Sequence, residues 1–452
     1  MNFQKFQNLR KWSEEQWLYA DFGDKRRNLR AVKLGINLML NPQKSFPDQM
    51  QSWKDLKLAY RLFSQKDVTY EKVQAPHKKN TLIEIKKSNN PIILFIQDTT
   101  TIDYTKHKAT TGLGPIADSR YSNKGFLLHT CLAITPEKNP VILGIAAQKA
   151  WIRKEKIYKG SETKNKRRKR KTEGDIWQSI LEDIGMQNEN KQYVSIGDRG
   201  NDIFDFFLKS RSLNWHYLVR LCQDRKIGPT EKLKSFIRKL SPKTEKIIEI
   251  RKKNGLPKTE IKVNVTWDNI TIKPPQIDKS KNLPTINGWI IRCWNDEENL
   301  EWILFSSLPI KSRESALEKI DWYSKRWIIE EYHKCLKTGC NIEKRQIKTF
   351  DKLITALGFF AIIAIRLLQI RYLSRLPKDI LAKNAVPDLF LKILCRRFNV
   401  LIDKLTIKDF WRKIAQLGGF LGRKSDGDPG WQTIWKGWLE LQTMSNGAIL
   451  GN

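Results

Sequence analysis

Through roughly the first seventy residues, apolar positions recur at helical spacing. Ser13-x-x-Gln16 has the form of a capping box that opens a helix. Asp24 stands where it would cap a second helix running to about residue 40. Ser52-x-x-Asp55 would open a third, through about residue 64. On the second helix Leu29, Val32 and Ile36 form an apolar face, and Arg26, Arg30 and Lys33 form a basic one. From residue 91 the rhythm changes. Residues 92–96 are a short apolar run, as in a strand buried on both faces, and Asp98 follows its end. Residues 126–135 and 140–148 predict two further strands, 174–185 a helix containing Trp177, and 193–196 a strand that ends in Gly197-Asp198. A helix over 201–211 and a strand over 215–221 come next. This order predicts a mixed α/β sheet with acids at strand ends. Residues 244–251 and 261–266 read as a hairpin around Asn254-Gly255, and 285–294 and 302–306 as two more strands. Together they make a β-rich insertion over about 223–310. A long helix is predicted over 314–337. Another covers 356–365, an apolar run about half the ~20 residues that cross a bilayer, so it reads as a buried helix. The rest is helical. Asp428-Pro429 has the form of a helix start, and Trp431, Trp435 and Trp438 follow at i, i+4, i+7, with Ile434 and Leu441 alongside. Such a stripe is normally core, with part of it available to a partner helix.

Composition adds a partner. The 452 residues carry 83 Lys and Arg against 48 Asp and Glu, a formal +35, which calls for a polyanion such as nucleic acid. The charge is dispersed and no lipidation motif is present, so a membrane surface is not expected. Sixteen Trp and nineteen Phe indicate a folded chain, not a basic disordered tail. The six Cys form no CxxC pair, which suggests neither a zinc ribbon nor a disulfide framework and fits reduced thiols in a cytosol. The run at 164–171 (Lys-Asn-Lys-Arg-Arg-Lys-Arg-Lys) reads as a solvated loop that adds non-specific phosphate attraction.

The chemistry concentrates on the helix over 314–337. Tyr323, Arg326, Glu330 and Lys337 lie at i, i+3, i+7 and i+14, within a sector of roughly 60°. A carboxylate on that face can hold a hard divalent cation, while Arg and Lys hold phosphate oxygens on either side. A solvated face of ion pairs, such as Arg326 with Glu330, satisfies the same spacing. The basic face of the second helix likewise fits a DNA-reading helix or a plain surface helix.

The set Tyr323-x2-Arg326-x3-Glu330-x6-Lys337 resembles the YREK signature of the DDE transposases of bacterial insertion sequences. Gln97-Asp98-Thr99-Thr100, Gly197-Asp198-Arg199, the strings at 327–334 and 336–339, and Leu417-Gly418-Gly419-Phe420 are also similar to that family, in matching order from about Trp12 onward. The resemblance implies a ribonuclease H-like α/β catalytic core over 71–373 with a β-rich insertion. It implies an α-helical DNA-binding domain over 1–70 and an α-helical dimerisation domain over 374–452. Asp98, Asp198 and Glu330 would hold two Mg2+ ions, with Mn2+ as a substitute. Tyr323, Arg326, Lys337 and Arg220 would hold phosphates, and Trp302 would stack a flipped base, although a tryptophan in a strand is also an ordinary core residue. Arg26, Arg27 and Arg30 would contact the element ends. The implied reaction is cut-and-paste transposition by a homodimer bound to double-stranded DNA, in a bacterial cytoplasm at the nucleoid. A DNA-binding protein without catalysis and a nuclease that does not rejoin strands are the alternatives; the presence of all three acids counts against the first.

Overall fold

The computed structural model describes residues 9–50, 52–116, 123–153, 173–187, 190–228, 230–250, 259–275, 283–374, 381–384, 386–423 and 426–450. The basic run at 164–171 and the expected turn at Asn254-Gly255 lie outside them. Helices α1 (Leu9–Trp17), α2 (Lys25–Leu40), α3 (Phe46–Gln49), α4 (Trp53–Leu62) and α5 (Tyr70–Lys87) open the chain. Asp24 caps α2 by accepting the N–H of Arg26 at 2.8 Å, and Ser52 caps α4 through the N–H of Asp55 at 3.2 Å. The capping box expected at Ser13 is absent. α1 already runs through Ser13, whose hydroxyl is buried and donates to the carbonyl of Val32 at 2.7 Å, fastening α1 to α2.

Strands β1 (Ile92–Asp103), β2 (Gly114–Pro115), β3 (Lys124–Ile134) and β4 (Ile142–Trp151) follow. Then come α6 (Asp175–Ile184), β5 (Gln192–Gly197), α7 (Phe204–Ser212), β6 (His216–Arg220) and α8 (Leu233–Lys239). The region expected as an insertion supplies β7 (Thr244–Ile250), β8 (Thr259–Ile272), β9 (Ile286–Asn295) and β10 (Leu300–Ser306). Among the described residues, ten strands make one mixed sheet in the order β2-β3-β1-β5-β6-β10-β9-β8-β7, with β4 on β3. The pairs β4–β3 and β3–β1 are antiparallel, while β1–β5 and β5–β6 are parallel. β10 joins β6 antiparallel, so the inserted strands extend the central sheet.

The final section holds α9 (Arg313–Ser324), α10 (Trp327–Lys334), α11 (Phe350–Leu373), α12 (Asp388–Phe398), α13 (Ile407–Leu417) and α14 (Trp431–Leu450). α11 is long and apolar enough to cross a membrane, but 89% of its most apolar window is buried inside the protein. It is the axis of the larger core. Trp17 and Phe63 meet Phe359, and Phe46 meets Phe360, with ring centroids 5.0–6.2 Å apart. The N-terminal helices therefore share a core with the central sheet. A second core on the other sheet face is covered by α6, α7 and α8.

The tryptophan stripe of α14 is also internal. Trp431, Trp435 and Trp438 are 7%, 4% and 3% exposed, and Ile434 and Leu441 are fully buried. The expectation that part of this stripe faces a partner is corrected. Glycines let α13 and α14 approach closely: a Cβ on Gly437 would stand 1.6 Å from the carbonyl oxygen of Ile414. The Trp435 indole N–H then donates to the Met39 carbonyl on α2 at 2.9 Å. The helix itself starts at Trp431, after Asp428-Pro429.

Candidate active site

Asp98 lies within β1, not past its end as the apolar run suggested. Pairing with β5 stops at Ile96, but pairing with β3 continues to Asp103. Asp98 therefore sits where one neighbour strand ends and the sheet opens. Its Oδ1 accepts the N–H of Thr99 at 2.8 Å. Asp198 follows β5 and caps the short 3-10 turn Arg199–Asn201, accepting the Gly200 N–H at 2.8 Å. Burial and the charge of Asp198 push the Asp98 carboxyl up to about 7, while Arg326 pulls the other way.

The predicted helix over 314–337 is three pieces. α9 ends at Ser324, the chain tightens through i→i+3 bonds such as Arg326 N–H to Tyr323 O (2.9 Å), and α10 begins at Trp327. After Lys334 the backbone loosens into a π turn, Cys335–Gly339, closed by Cys340 N–H to Cys335 O at 2.8 Å. Such turns widen a helix and recur at functional sites. Arg326 and Glu330 remain neighbours, with a guanidinium nitrogen 2.7 Å from Oε1. A second guanidinium nitrogen of Arg326 is 3.7 Å from Oδ2 of Asp98. Arg326 thus bridges two of the three acids. Lys337 lies in the π turn, 3.4 Å from Glu343.

An open cleft is lined by Asp98, Thr99, Thr100, Glu330, His333, Lys334, Lys337 and Thr338. The sequence did not single out His333, Lys334 or Thr338 as site residues. All three lie within the quoted strings over 327–339, His333 and Lys334 at the end of α10 and Thr338 in the π turn. His333 is buried with its Nε2 unpartnered, and burial pushes its pKa down to about 3. The α10 helix is braced from below. Gln148 donates to Thr130, which stands opposite Asp98 in the β1–β3 ladder, at 2.8 Å, and to the Tyr332 hydroxyl at 2.9 Å.

Tyr323 and Trp302 pack edge to face, centroids 5.1 Å apart, and are 4% and 6% exposed. Trp302 is a core ring in this structure. Arg220, at the end of β6, donates to the carbonyl of Glu301 at 2.7 Å and lies against the Tyr323 phenol. The N-terminal basic residues stand apart from this cleft and divide by role. Arg26 is exposed and paired with Asp24 at 2.9 Å, and Arg30 is exposed. Arg27 turns inward to the Phe22 carbonyl at 2.7 Å and Asp67 at 2.6 Å. Lys33 is tied to Asp55 at 2.7 Å. Leu29 was expected on the packed face but is 54% exposed, because Asn28 takes the inward place and donates to the carbonyls of Trp17 and Ala20.

As the side chains stand, no three acidic, histidine or cysteine groups among the described residues are close enough to share an ion. The chemistry nonetheless suits a hard cation. The donors are carboxylate oxygens, Asp98 carries a buried charge beside Asp198, and Arg326 is the only cation bonded to both Asp98 and Glu330 among the described ion pairs. A divalent ion would relieve the same repulsion.

Three family profiles match the chain in succession. One described as "Transposase DNA-binding" covers residues 9–68, "Transposase DDE domain" covers 169–366, and "Transposase Tn5 dimerisation domain" covers 390–451. The chain is also similar to the cryo-EM structure of a piggyBac transposase synaptic complex with hairpin DNA, at 8% identity over 99% of this chain and 81% of that one. The TM-score is 0.37, a similarity too slight to carry conclusions about this chain.

Proposed function

A chain with a transposase DNA-binding domain, a DDE domain and a dimerisation domain in that order is a DDE transposase, an enzyme that cleaves DNA and transfers strands, and from that premise we propose that Asp98, Asp198 and Glu330 are its catalytic acids in cut-and-paste movement of an insertion sequence. The observation that carries this is the meeting of Asp98 with Asp198 on one side and, through Arg326, with Glu330 on the other. The strand order β4-β3-β1-β5-β6, antiparallel then parallel, supports a ribonuclease H-like core. DDE domains use divalent ions; here the acids suit two Mg2+ ions, with Mn2+ as a substitute, which when bound activate the attacking oxygen and stabilise the leaving one.

The chain's own residues then divide the work. Arg326, released from the acids, holds phosphate oxygens at the reacting centre. Lys334 and Lys337 line the cleft beside it and neutralise the backbone on either side. Tyr323 and Arg220 hold the strand that folds back. Trp302 can stack a flipped base only after its cover opens, since the ring is buried. That stacking would return about 1–3 kcal/mol of the extrusion cost. Arg26 and Arg30 on the exposed side of α2 contact the element end, and Arg27 ties that helix to Asp67 in the loop before α5. The steps are nicking, hairpin formation, hairpin opening and joining to target DNA, each an in-line phosphoryl transfer at one site. A homodimer on paired ends would place two such sites on one target, through surfaces other than the buried tryptophan stripe.

The test uses DNA carrying the inverted repeats that flank the coding region, with Mg2+ or Mn2+, resolved on denaturing gels. Nicked ends should appear first, then hairpins, then joined products. Nicks that never become hairpins or joined strands would reduce the protein to a nuclease. Intact DNA in both metals would overturn the reading.

A further inference from the structure

Beneath the two aspartates, on the opposite face of the sheet, runs a chain of buried polar side chains. Gln97 on β1 donates through Nε2 to the Ser195 hydroxyl on β5 at 2.9 Å. Its Oε1 stands 3.1 Å from Nε2 of His129 on β3. The other ring nitrogen of His129, Nδ1, is 2.7 Å from the Thr99 hydroxyl. Gln97, His129 and Ser195 are fully buried. The directions are fixed by elimination. Oε1 of Gln97 only accepts, so Nε2 of His129 donates; burial keeps the ring neutral, so Nδ1 accepts and the Thr99 hydroxyl donates.

One end of this chain reaches an acid, and the other lies close in sequence to a second. Thr99 is the residue whose backbone N–H binds Asp98 Oδ1. Ser195 lies three residues before Asp198 on the parallel strand. The Trp177 ring packs edge-on against His129, centroids 4.6 Å apart, and its far side lies 3.4 Å from where a Cβ of Gly200 would be. The Gly200 N–H is the one that holds Asp198. Hydrogen bonds confined to the ladder would fix β1 to β3 and β5; they would not fix the side chain of Thr99 or the turn after β5.

We propose that Ser195, Gln97, His129 and Thr99, backed by Trp177, form a positioning shell that holds Asp98 and Asp198 at a fixed offset for the ions they bind. This rests on Asp98 and Asp198 as ion ligands. The four are positioning residues, acting through the aspartates. Supporting groups of this kind change metal affinity or rate by about 10–100-fold when removed.

The test compares full-length Thr99→Val, which keeps the shape and loses the hydroxyl, with Thr99→Ser, which keeps the hydroxyl. His129→Phe is a second probe. Mn2+ affinity is read without DNA by electron paramagnetic resonance, cleavage is titrated with metal, and end binding and melting temperature are read alongside. Thr99→Val should weaken Mn2+ binding and raise the metal needed for half-maximal cleavage by about 10-fold or more. End binding should be unchanged, and Thr99→Ser should restore most of the loss. Wild-type Mn2+ affinity in Thr99→Val, or an equal loss in Thr99→Ser, would overturn the proposal. Asp98→Asn separates the two levels. If it loses Mn2+ affinity while Thr99→Val does not, the shell alone is wrong; if it keeps Mn2+ affinity and cleavage, the site assignment is wrong.

Discussion

Desolvation and the neighbouring charge of Asp198 push the part-buried Asp98 carboxyl up from the ordinary 3.8 to about 7. Its charged form is disfavoured in the folded protein, so the stability it withholds is absent below about pH 4 and fully withheld above about pH 7. Metal-free Asp98→Asn should therefore be more stable than wild type at pH 8, by up to a few kcal/mol, and the difference should shrink toward pH 4. Urea melts at the two pH values check this; a difference that does not change with pH would remove the buried charge from Asp98. At this scale short motifs pointed to Asp98, Asp198 and Glu330, and the structure brings the three within electrostatic reach of one another. The sequence was silent on the His129 shell, because His129, Gln97 and Ser195 meet only through the register of three strands distant in sequence. Leu29 shows another limit. Periodicity alone did not reveal that Asn28 would be paid for by two backbone carbonyls and so take the inward position.

The helix over 314–337 was legible as helical, but not as broken. No Pro or Gly marks the tightening at Ser324–Arg326, and a loop distant in sequence packs on the π turn. The loop after α2 sits directly on that turn: Gln43 donates to the Thr338 carbonyl at 3.1 Å and Asn341 to the Gln43 carbonyl at 2.7 Å. Arg345, 3% exposed, gives its guanidinium to the carbonyls of Pro42, Lys44 and Cys340 and to the side chain of Gln49, and lies over Phe360 at 4.3 Å. One buried arginine thus ties the segment after α2 to the turn that carries Lys337. Arg345→Met leaves these acceptors unpaired and should cost about 3 kcal/mol or more. Differential scanning calorimetry should show the loss, and cleavage should fall further than end binding. An unchanged melting temperature would show the clamp to be dispensable. The sheet order beyond β6 was equally hidden, since β7 to β10 read as an insertion and proved to extend the same sheet.

Across the whole molecule, the resemblance implied three consecutive regions, 1–70, 71–373 and 374–452. Packing joins them. α2, α11 and α14 share one core, and the contact of Trp435 with Met39 links the two ends of the chain. Apolar stripes are visible in a sequence, but the surface that will cover them is not, and so the tryptophan stripe looked available to a partner. The excess of 35 positive charges remains the clearest whole-chain signal for a polyanionic partner. The proposed function requires that three acids from β1, the turn after β5 and α10 make a single DNA-cleaving centre. The most direct measurement is the rate of first-strand nicking at the element end for Asp98→Ala, Asp198→Ala and Glu330→Ala, each with end binding measured on the same preparation. Every variant should bind ends close to wild type and nick at least about a thousand-fold more slowly. A variant that nicks at the wild-type rate would contradict the claim for its residue and leave the centre without that acid.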